Sequence, residues 1–373
     1  MTVGTLFKYL IGRKSAIQEI ASDRKSLLIG FMFCLSTALA RHYDGKYLVR
    51  EPWFLLAPAG ASILTSSILF ILFYLATCVR ARQVLPDIVS CYLSFLGLYW
   101  MTAPLAWLYG IPYERFLNEV HAAQANIWTL ALVSVWRVLL ISRVAAVLTP
   151  SSFFSAFAKI AVPAFALFYA GIAYARMPLI DFMGGVRVPP SVEPVASAYL
   201  FVLFFGFFAL VLGGFVWLVS LFDPARNSTL EGFRVRRQPS SAKGLLALSI
   251  IVIVGFGAAL PITQREQRLR YEVEKDLKNN RIDQALNVLT SHHRSEFPPQ
   301  WTPPPWPEYG DGARNPSLVE IVKALQARRD VPGWLQSVYR EKASLYLIDG
   351  RGNLAADDEV LLRQFSDQNN PGR

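Results

Sequence analysis

Three basic side chains interrupt the long apolar stretches of this sequence, and they are its clearest candidates for chemistry. Arg137 lies near the middle of the apolar stretch 127–148, and Lys159 lies inside the stretch 151–175. A charged side chain is costly inside a bilayer, so a cation there marks a binding or transport site by default. Together with Arg143, these cations predict a contact with an anionic substrate or a lipid phosphate.

A second interpretation places the same three residues at a membrane surface. If residues 143–159 form an interfacial elbow between two spans, both Arg143 and Lys159 lie at the inner surface. Arg137 is then six residues from that surface, which is about 9 Å by helical rise, so its side chain can extend to the headgroups. This interpretation needs no buried partner for the charge.

The sequence contains none of the common catalytic motifs. It has no His-Glu-x-x-His, no Walker-type glycine loop, no Gly-x-Ser-x-Gly and no Cys-x-x-Cys pair. His292 and His293, with Glu296 nearby, carry metal-ligand atoms, but adjacent histidines point to different faces of a helix. We therefore expect no catalytic residue, no metal and no cofactor. A membrane enzyme that acts on lipid would have to use scattered residues of the outer loops: Asp44, Glu114, Glu119, His121 and Asp181.

The composition indicates an integral membrane protein. Of the 373 residues, 53% are hydrophobic and only 17% are charged, whereas soluble domains carry about 25% charged residues. A spanning helix needs roughly 20 apolar residues. Such stretches recur, so we predict an all-α membrane bundle over residues 26–263 with about seven spans: 26–43, 53–79, 85–109, 127–148, 151–175, 195–222 and 244–263.

The N-terminal segment, residues 1–25, is basic and precedes the first apolar stretch. Its apolar residues recur at near-helical spacing, which predicts a short amphipathic helix on the membrane surface. These residues are Leu6, Leu10, Ile17 and Ile20. Ala38-Leu39-Ala40 resembles a signal-peptide cleavage site, but the basic segment is long for a signal peptide. We therefore expect the first apolar stretch to remain in place as a membrane anchor.

The basic residues predict the orientation of the bundle. Residues 264–373 contain 16 basic and 16 acidic residues, so the net charge of +10 belongs entirely to residues 1–263. With seven spans and the N-terminus inside, the inner segments hold 12 basic residues and the outer loops hold 6. This bias predicts an N-in, C-out topology in the cytoplasmic (inner) membrane and explains the charge without nucleic acid. If residues 127–175 cross only once, the C-terminal domain lies inside instead.

The C-terminal part predicts a small soluble all-α domain. Residues 264–297 are predicted to form a helical stalk and a hairpin that breaks near Asn280. The hairpin resembles one incomplete tetratricopeptide repeat, with Asn280, Ile282 and Ala285 near the positions of its Gly, Tyr and Ala. Since a solenoid needs about three repeats, we interpret it as a helical hairpin.

The last part of the chain, residues 308–373, predicts a small helical region with a loose tail. Ser317 and Glu320 have the spacing of a capping box, which predicts the start of one helix there. Pro332 predicts the start of the next helix.

Between the hairpin and this region lies a Pro/Trp-rich stretch, residues 298–307. Each proline fixes its own φ and restricts the residue before it, so we predict a stiff, largely polyproline II linker. Large aromatic side chains are common at binding interfaces. Trp301, Trp306 and Trp334 are therefore the candidate contacts for a protein partner.

Two main functional hypotheses follow from these patterns. The first is a membrane scaffold or accessory subunit that presents its helical C-terminal domain to a protein partner outside the membrane. The alternative is a transporter or flippase-like protein that moves an anionic or lipid-linked substrate with Arg137 and Lys159. The predicted spans have no Asp or Glu near their centres, which argues against proton- or cation-coupled transport.

Overall fold

The computed structural model of the chain describes residues 1–42, 46–78, 87–149, 151–175, 193–221, 230–233, 242–298, 301–305, 316–349 and 355–367. Within these ranges it has fourteen α-helices and no strand, which confirms the predicted all-α class. The chain divides into two compact units. Unit 1 consists of Met1–Tyr43 and Leu48–Leu260, and unit 2 consists of Asp44–Tyr47 and Pro261–Arg373.

The helices follow the predicted apolar and amphipathic stretches. The first nine are α1 (Val3–Leu10), α2 (Lys14–Ala21), α3 (Lys25–His42), α4 (Ala57–Cys78), α5 (Ile88–Trp100), α6 (Glu119–Leu148), α7 (Phe153–Ala175), α8 (Glu193–Ser220) and α9 (Lys243–Thr263). Those of unit 2 are α10 (Arg265–Lys278), α11 (Ile282–Ser291), α12 (Leu318–Gln326), α13 (Gly333–Asp349) and α14 (Ala356–Asp367). Short 3₁₀ segments lie at Pro52–Leu55, Ala103–Gly110, Tyr113–Arg115, Leu230–Phe233 and Arg294–Glu296.

Six helical segments of the described residues are long and apolar enough to cross a membrane. They correspond to the last six predicted spans and cover Pro52–Thr77, Ile88–Arg115, Glu119–Leu148, Phe153–Tyr174, Glu193–Ser220 and Lys243–Pro261. Residues 127–175 therefore form two candidate spans. Helix α6 continues through Arg143 to Leu148, and α7 begins at Phe153 and packs against α6. Both halves of the predicted elbow over residues 143–159 are thus helical, and the position of these residues at a membrane surface stays a prediction.

The first predicted span, residues 26–43, is helical in α3 but is not one of these six segments. Lys25 and Arg41 limit its apolar part to 15 residues, which is about 22 Å of helix, whereas the hydrocarbon core is about 30 Å thick. Gly97 of α5 lies against Leu27, so α3 begins level with the second half of α5. The structure shows six candidate spans in place of about seven.

The N-terminal segment forms two helices rather than one. The break is at Gly12, whose φ of 75° favours glycine. Leu6, Ile17 and Ile20 are almost fully buried in the core of unit 1, and the Tyr9 hydroxyl donates a hydrogen bond to the Leu98 carbonyl at 2.7 Å. The predicted amphipathic stripe is therefore present, and it covers the bundle.

Unit 2 has a hydrophobic core of its own. Helices α10 and α11 form the predicted hairpin, which turns at Asn280 in the left-handed region (φ 57°). Buried residues of α10 to α14 share one cluster: Leu269, Val273, Leu277, Ala285, Leu286, Leu289, Leu318, Val319, Ile321, Val322, Leu325, Leu335, Tyr339, Ala343, Leu362 and Phe365. The surfaces of the two units differ. Among the described residues, Val360 is the one exposed large hydrophobic side chain of unit 2, whereas unit 1 exposes many.

Candidate functional site

Arg137 is held in a fixed orientation inside unit 1. Its Nε donates a hydrogen bond to Thr102 Oγ1 at 3.0 Å, and its Cζ lies 4.9 Å from the centroid of the Tyr99 ring. A guanidinium can stack on an aromatic face while it donates in its own plane. No described carboxylate pairs with Arg137, and its two terminal nitrogens donate to no described residue. The charge is thus oriented by neutral groups and keeps most of its donors.

Arg137 is the last member, in chain order along α6, of a row of polar contacts between α6 and the segment that follows α5. Three pairs precede it along α6: Asn126 with Glu114 at 2.6 Å, Thr129 with Tyr113 at 2.9 Å, and Ser134 with Tyr109. We call this row, together with Arg137 and Thr102, the polar seam. From Asn126 to Arg137 it follows eleven residues of helix, which is about 16 Å. Because it extends into an apolar bundle, it is the strongest candidate for a functional region in unit 1.

The end of α1 lies beside Arg137. Trp136 Nε1 donates to the Leu10 carbonyl at 2.9 Å, and Arg143 Nε donates to the Gly12 carbonyl at 3.4 Å. The buried Tyr9 hydroxyl is within electrostatic range of Arg137. Burial raises the pKa of this hydroxyl well above its usual range, so Tyr9 stays a neutral donor beside the cation. Side chains of α6 thus donate to carbonyl groups at the end of α1 and just after it. Arg137 lies level with this basic end of α1.

The three predicted cations lie on two helices, Arg137 and Arg143 on α6 and Lys159 on α7. Arg143 is an exposed residue of α6 that contacts the turn between α1 and α2. Lys159 is 7% exposed on α7. Counted from the turn between α6 and α7, Arg137 is about 16 Å away and Lys159 about 9 Å, so the two differ in depth. Arg137 contacts Tyr99 and Thr102, and Lys159 belongs to the buried first part of α7. Lys159 thus differs in depth from Arg137, whereas Arg143 lies on the same helix as Arg137, six residues away.

The tryptophans predicted to contact a partner are part of the unit 2 core where they are described. Trp301 is 9% exposed, stacks on Phe297 with ring centroids 5.3 Å apart, and donates from Nε1 to Glu274 at 2.9 Å. Trp334 packs against the same Phe297 at 5.9 Å. Trp306 lies outside the described residues. The surface of Trp301 and Trp334 is therefore used mainly for internal packing.

The described part of the Pro/Trp-rich stretch is fastened to unit 2 through its carbonyl groups. Proline has no N–H, so hydrogen bonds to this segment must come from donors elsewhere. Arg294 donates to the carbonyls of Pro298 and Trp301, both at 2.9 Å. Tyr339 and the buried Lys342, both on α13, donate to three proline carbonyls: Pro303, Pro304 and Pro305. The described residues of the predicted stiff linker are thus a packed part of unit 2.

Other polar candidates have local structural partners. Glu296 forms an ion pair with Arg265 at 3.3 Å and accepts a hydrogen bond from the His293 backbone N–H at 3.1 Å. His292 Nδ1 lies 2.9 Å from the Val288 carbonyl. Glu119 begins α6, and His121 lies against its N-cap residue. No group of His, Cys, Asp or Glu in the described ranges could hold a metal. Asp44 and Asp181 lie outside those ranges.

Sequence reasoning found Arg137 and missed what surrounds it. The side chains that orient it, Tyr99 and Thr102, carry no charge and stand in a different predicted span, so nothing in their spacing links them to α6. The signal that was present is on α6 itself. Asn126, Thr129, Ser134 and Arg137 fall on one face of a helix, and a polar face in an apolar helix indicates a contact with another polar element.

Comparison of the chain with protein-family models, with curated proteins and with solved structures found no match. The function must therefore be argued from the geometry alone.

Proposed function

We propose that this chain is a multi-pass membrane scaffold or accessory subunit, in which unit 1 is the anchor and unit 2 is a soluble helical domain that binds a protein partner. The main support for this proposal is the difference between the surface of unit 1 and the surface of unit 2. Unit 1 holds all six candidate spans and exposes large apolar side chains, as a lipid-facing bundle does. The described surface of unit 2 is polar around its own core, as in a water-soluble domain.

The same observations support an N-in, C-out orientation in the cytoplasmic (inner) membrane. Six alternating crossings bring the chain back to the side where they began, so this orientation requires that α3 also carries the chain from the basic N-terminal segment to the other side. In agreement, Gln264, which follows α9, donates to the carbonyl of Lys46, which precedes α4, at 2.6 Å. Helix α2 contacts Leu230–Phe233, which lies between α8 and α9. The basic N-terminal segment is therefore at the end of the bundle where α9 begins, opposite the end where α9 finishes. The excess of basic residues at that end favours the cytoplasm.

Cysteine labelling tests this orientation. Starting from a variant without Cys34, Cys78 and Cys91, cysteine is introduced by Gln18→Cys on α2 or Ser337→Cys on α13, both exposed positions. We expect a membrane-impermeant maleimide, applied outside the cytoplasmic membrane, to label the Ser337→Cys protein. The Gln18→Cys protein should be labelled only after that membrane is opened. The reverse pattern would place unit 2 in the cytoplasm and contradict the orientation.

Partner capture tests the scaffold itself. Removal of residues 298–373 alone would delete α12 to α14 and expose the apolar faces of α10 and α11. The truncation for this test therefore removes residues 264–373. After gentle extraction from native membrane, we expect mass spectrometry to find a stoichiometric protein with the full chain and to lose it with the truncated chain. Arg137→Ala, which leaves unit 2 intact, is the control and should retain the partner. A partner retained by the truncated chain contradicts the proposal.

The polar seam favours a second candidate function, the transport of an anionic or lipid-linked substrate. It leads along α6 to a cation that keeps unpaired donors, which is the kind of path such a substrate requires. Under this alternative, Arg137→Ala abolishes transport at an unchanged protein level, and the truncation after Thr263 leaves transport intact. Under the scaffold proposal the two variants have the opposite effects on partner capture, so the same pair of proteins distinguishes the functions.

A further inference from the structure

We propose that Arg137, at the junction of α1 and α6, binds the phosphate of an anionic phospholipid. The guanidinium of Arg137 has a fixed orientation. Thr102 holds Nε and Tyr99 lies under the plane, so the group is fixed before any ligand arrives. The two terminal nitrogens, which donate to no described residue, remain to contact a ligand. Their fork matches two oxygens of a phosphate.

The surroundings indicate that the ligand carries acyl chains. Phe7 on α1 and Ile11, which caps the end of α1, are 65% and 62% exposed, one helical turn apart. On α6, Trp136 and Leu139 are 43% and 42% exposed on either side of Arg137. This surface, which we call the α1–α6 edge, is apolar and belongs to the anchor unit. A soluble anion gains nothing from it, whereas the acyl chains of a lipid would cover it.

The cations next to the α1–α6 edge favour an anionic headgroup. Exposed cations cluster at the end of α1, at the turn that follows it and on α6: Lys8, Arg13, Lys14 and Arg143. Trp136 and Arg143 tie this turn to α6 through the carbonyls of Leu10 and Gly12. Arg137, the neighbour of Trp136, is therefore level with these cations. Clusters of basic residues beside a spanning helix attract anionic lipid headgroups.

Native mass spectrometry of the full chain in detergent tests the site. The probes are phosphatidylglycerol and phosphatidylcholine with the same acyl chains, each supplied in equal amount, and inorganic phosphate as a competitor. We expect the chain to retain phosphatidylglycerol in preference to phosphatidylcholine, and inorganic phosphate not to displace it. Arg137→Gln should reduce the retained phosphatidylglycerol at least tenfold, since it removes a charge-assisted pair of hydrogen bonds. Arg363→Gln, which removes an exposed cation of unit 2, should leave it unchanged.

A second variant keeps the test decisive if Arg137→Gln does not fold. Arg137→Lys retains the positive charge and loses the planar fork, so we expect it to bind phosphatidylglycerol more weakly than the parent chain and to keep its preference over phosphatidylcholine. Equal retention by the parent chain and by a folded Arg137 variant would overturn the proposal. Displacement by inorganic phosphate would also overturn it, because the site would then take a free anion instead of a lipid.

Discussion

Replacement of Gly30 by leucine is expected to force α3 away from α5 and to destabilise unit 1. A Cβ at Gly30 would lie 2.8 Å from Trp100 Cβ and 3.0 Å from the Gly97 carbonyl oxygen. Neither atom is the flexible end of a side chain, so the helices must separate. Overpacking of this kind costs about 1–3 kcal/mol or more, and here it affects a helix at the centre of the bundle. We expect thermal unfolding of the purified protein in detergent to occur about 10 °C lower, or the variant to aggregate.

A glycine on another helix of unit 1 supplies the matched control. Gly171 on α7 has no heavy atom within 4 Å of an added Cβ. Gly171→Leu adds the same side chain to an apolar helix and should leave the unfolding temperature within about 2 °C of the parent chain. If Gly30→Leu behaves like Gly171→Leu, the close approach of α3 and α5 is not present in the protein.

The contrast between these two glycines shows where sequence-based prediction of the bundle ends. Apolar stretches of about 20 residues predict spanning helices because the thickness of the bilayer sets their length. Six of the seven predicted stretches correspond to candidate spans. Gly171 has open space around it and Gly30 lies against α5, although both are glycines in apolar helices. Spacing within one helix cannot show which partner helix approaches it.

The number of spans was harder to predict for a related reason. The apolar stretch at 26–43 does form a helix, but the preceding segment also folds onto the bundle. Leu6, Ile17 and Ile20 have the periodicity of a surface helix, and the same periodicity describes a helix buried against protein. Hydrophobicity alone does not distinguish lipid from protein as the covering surface. A helix start in unit 2 was more predictable, because Ser317 and Glu320 form the predicted capping box at the start of α12.

Replacement of Lys342 by alanine is expected to loosen unit 2 more than any exposed substitution there. Lys342 is buried on α13, where its ammonium donates to the carbonyls of Pro303 and Pro305. Removal of the donor leaves these acceptors unsatisfied, because their proline-rich segment offers no N–H groups in exchange. A loss of roughly 2–3 kcal/mol follows.

Hydrogen exchange in the intact chain measures this loss. Amides of α13 that exchange by opening of unit 2 should exchange about 30- to 150-fold faster in Lys342→Ala, since each 1.4 kcal/mol is about tenfold. Lys323→Ala is the control, because Lys323 is an exposed lysine of α12 whose ion pair with Asp358 at 2.9 Å is worth little in water. Unchanged exchange of α13 in Lys342→Ala would mean that the proline segment is not held by this lysine. The segment would then be free to act as the linker that its composition predicts.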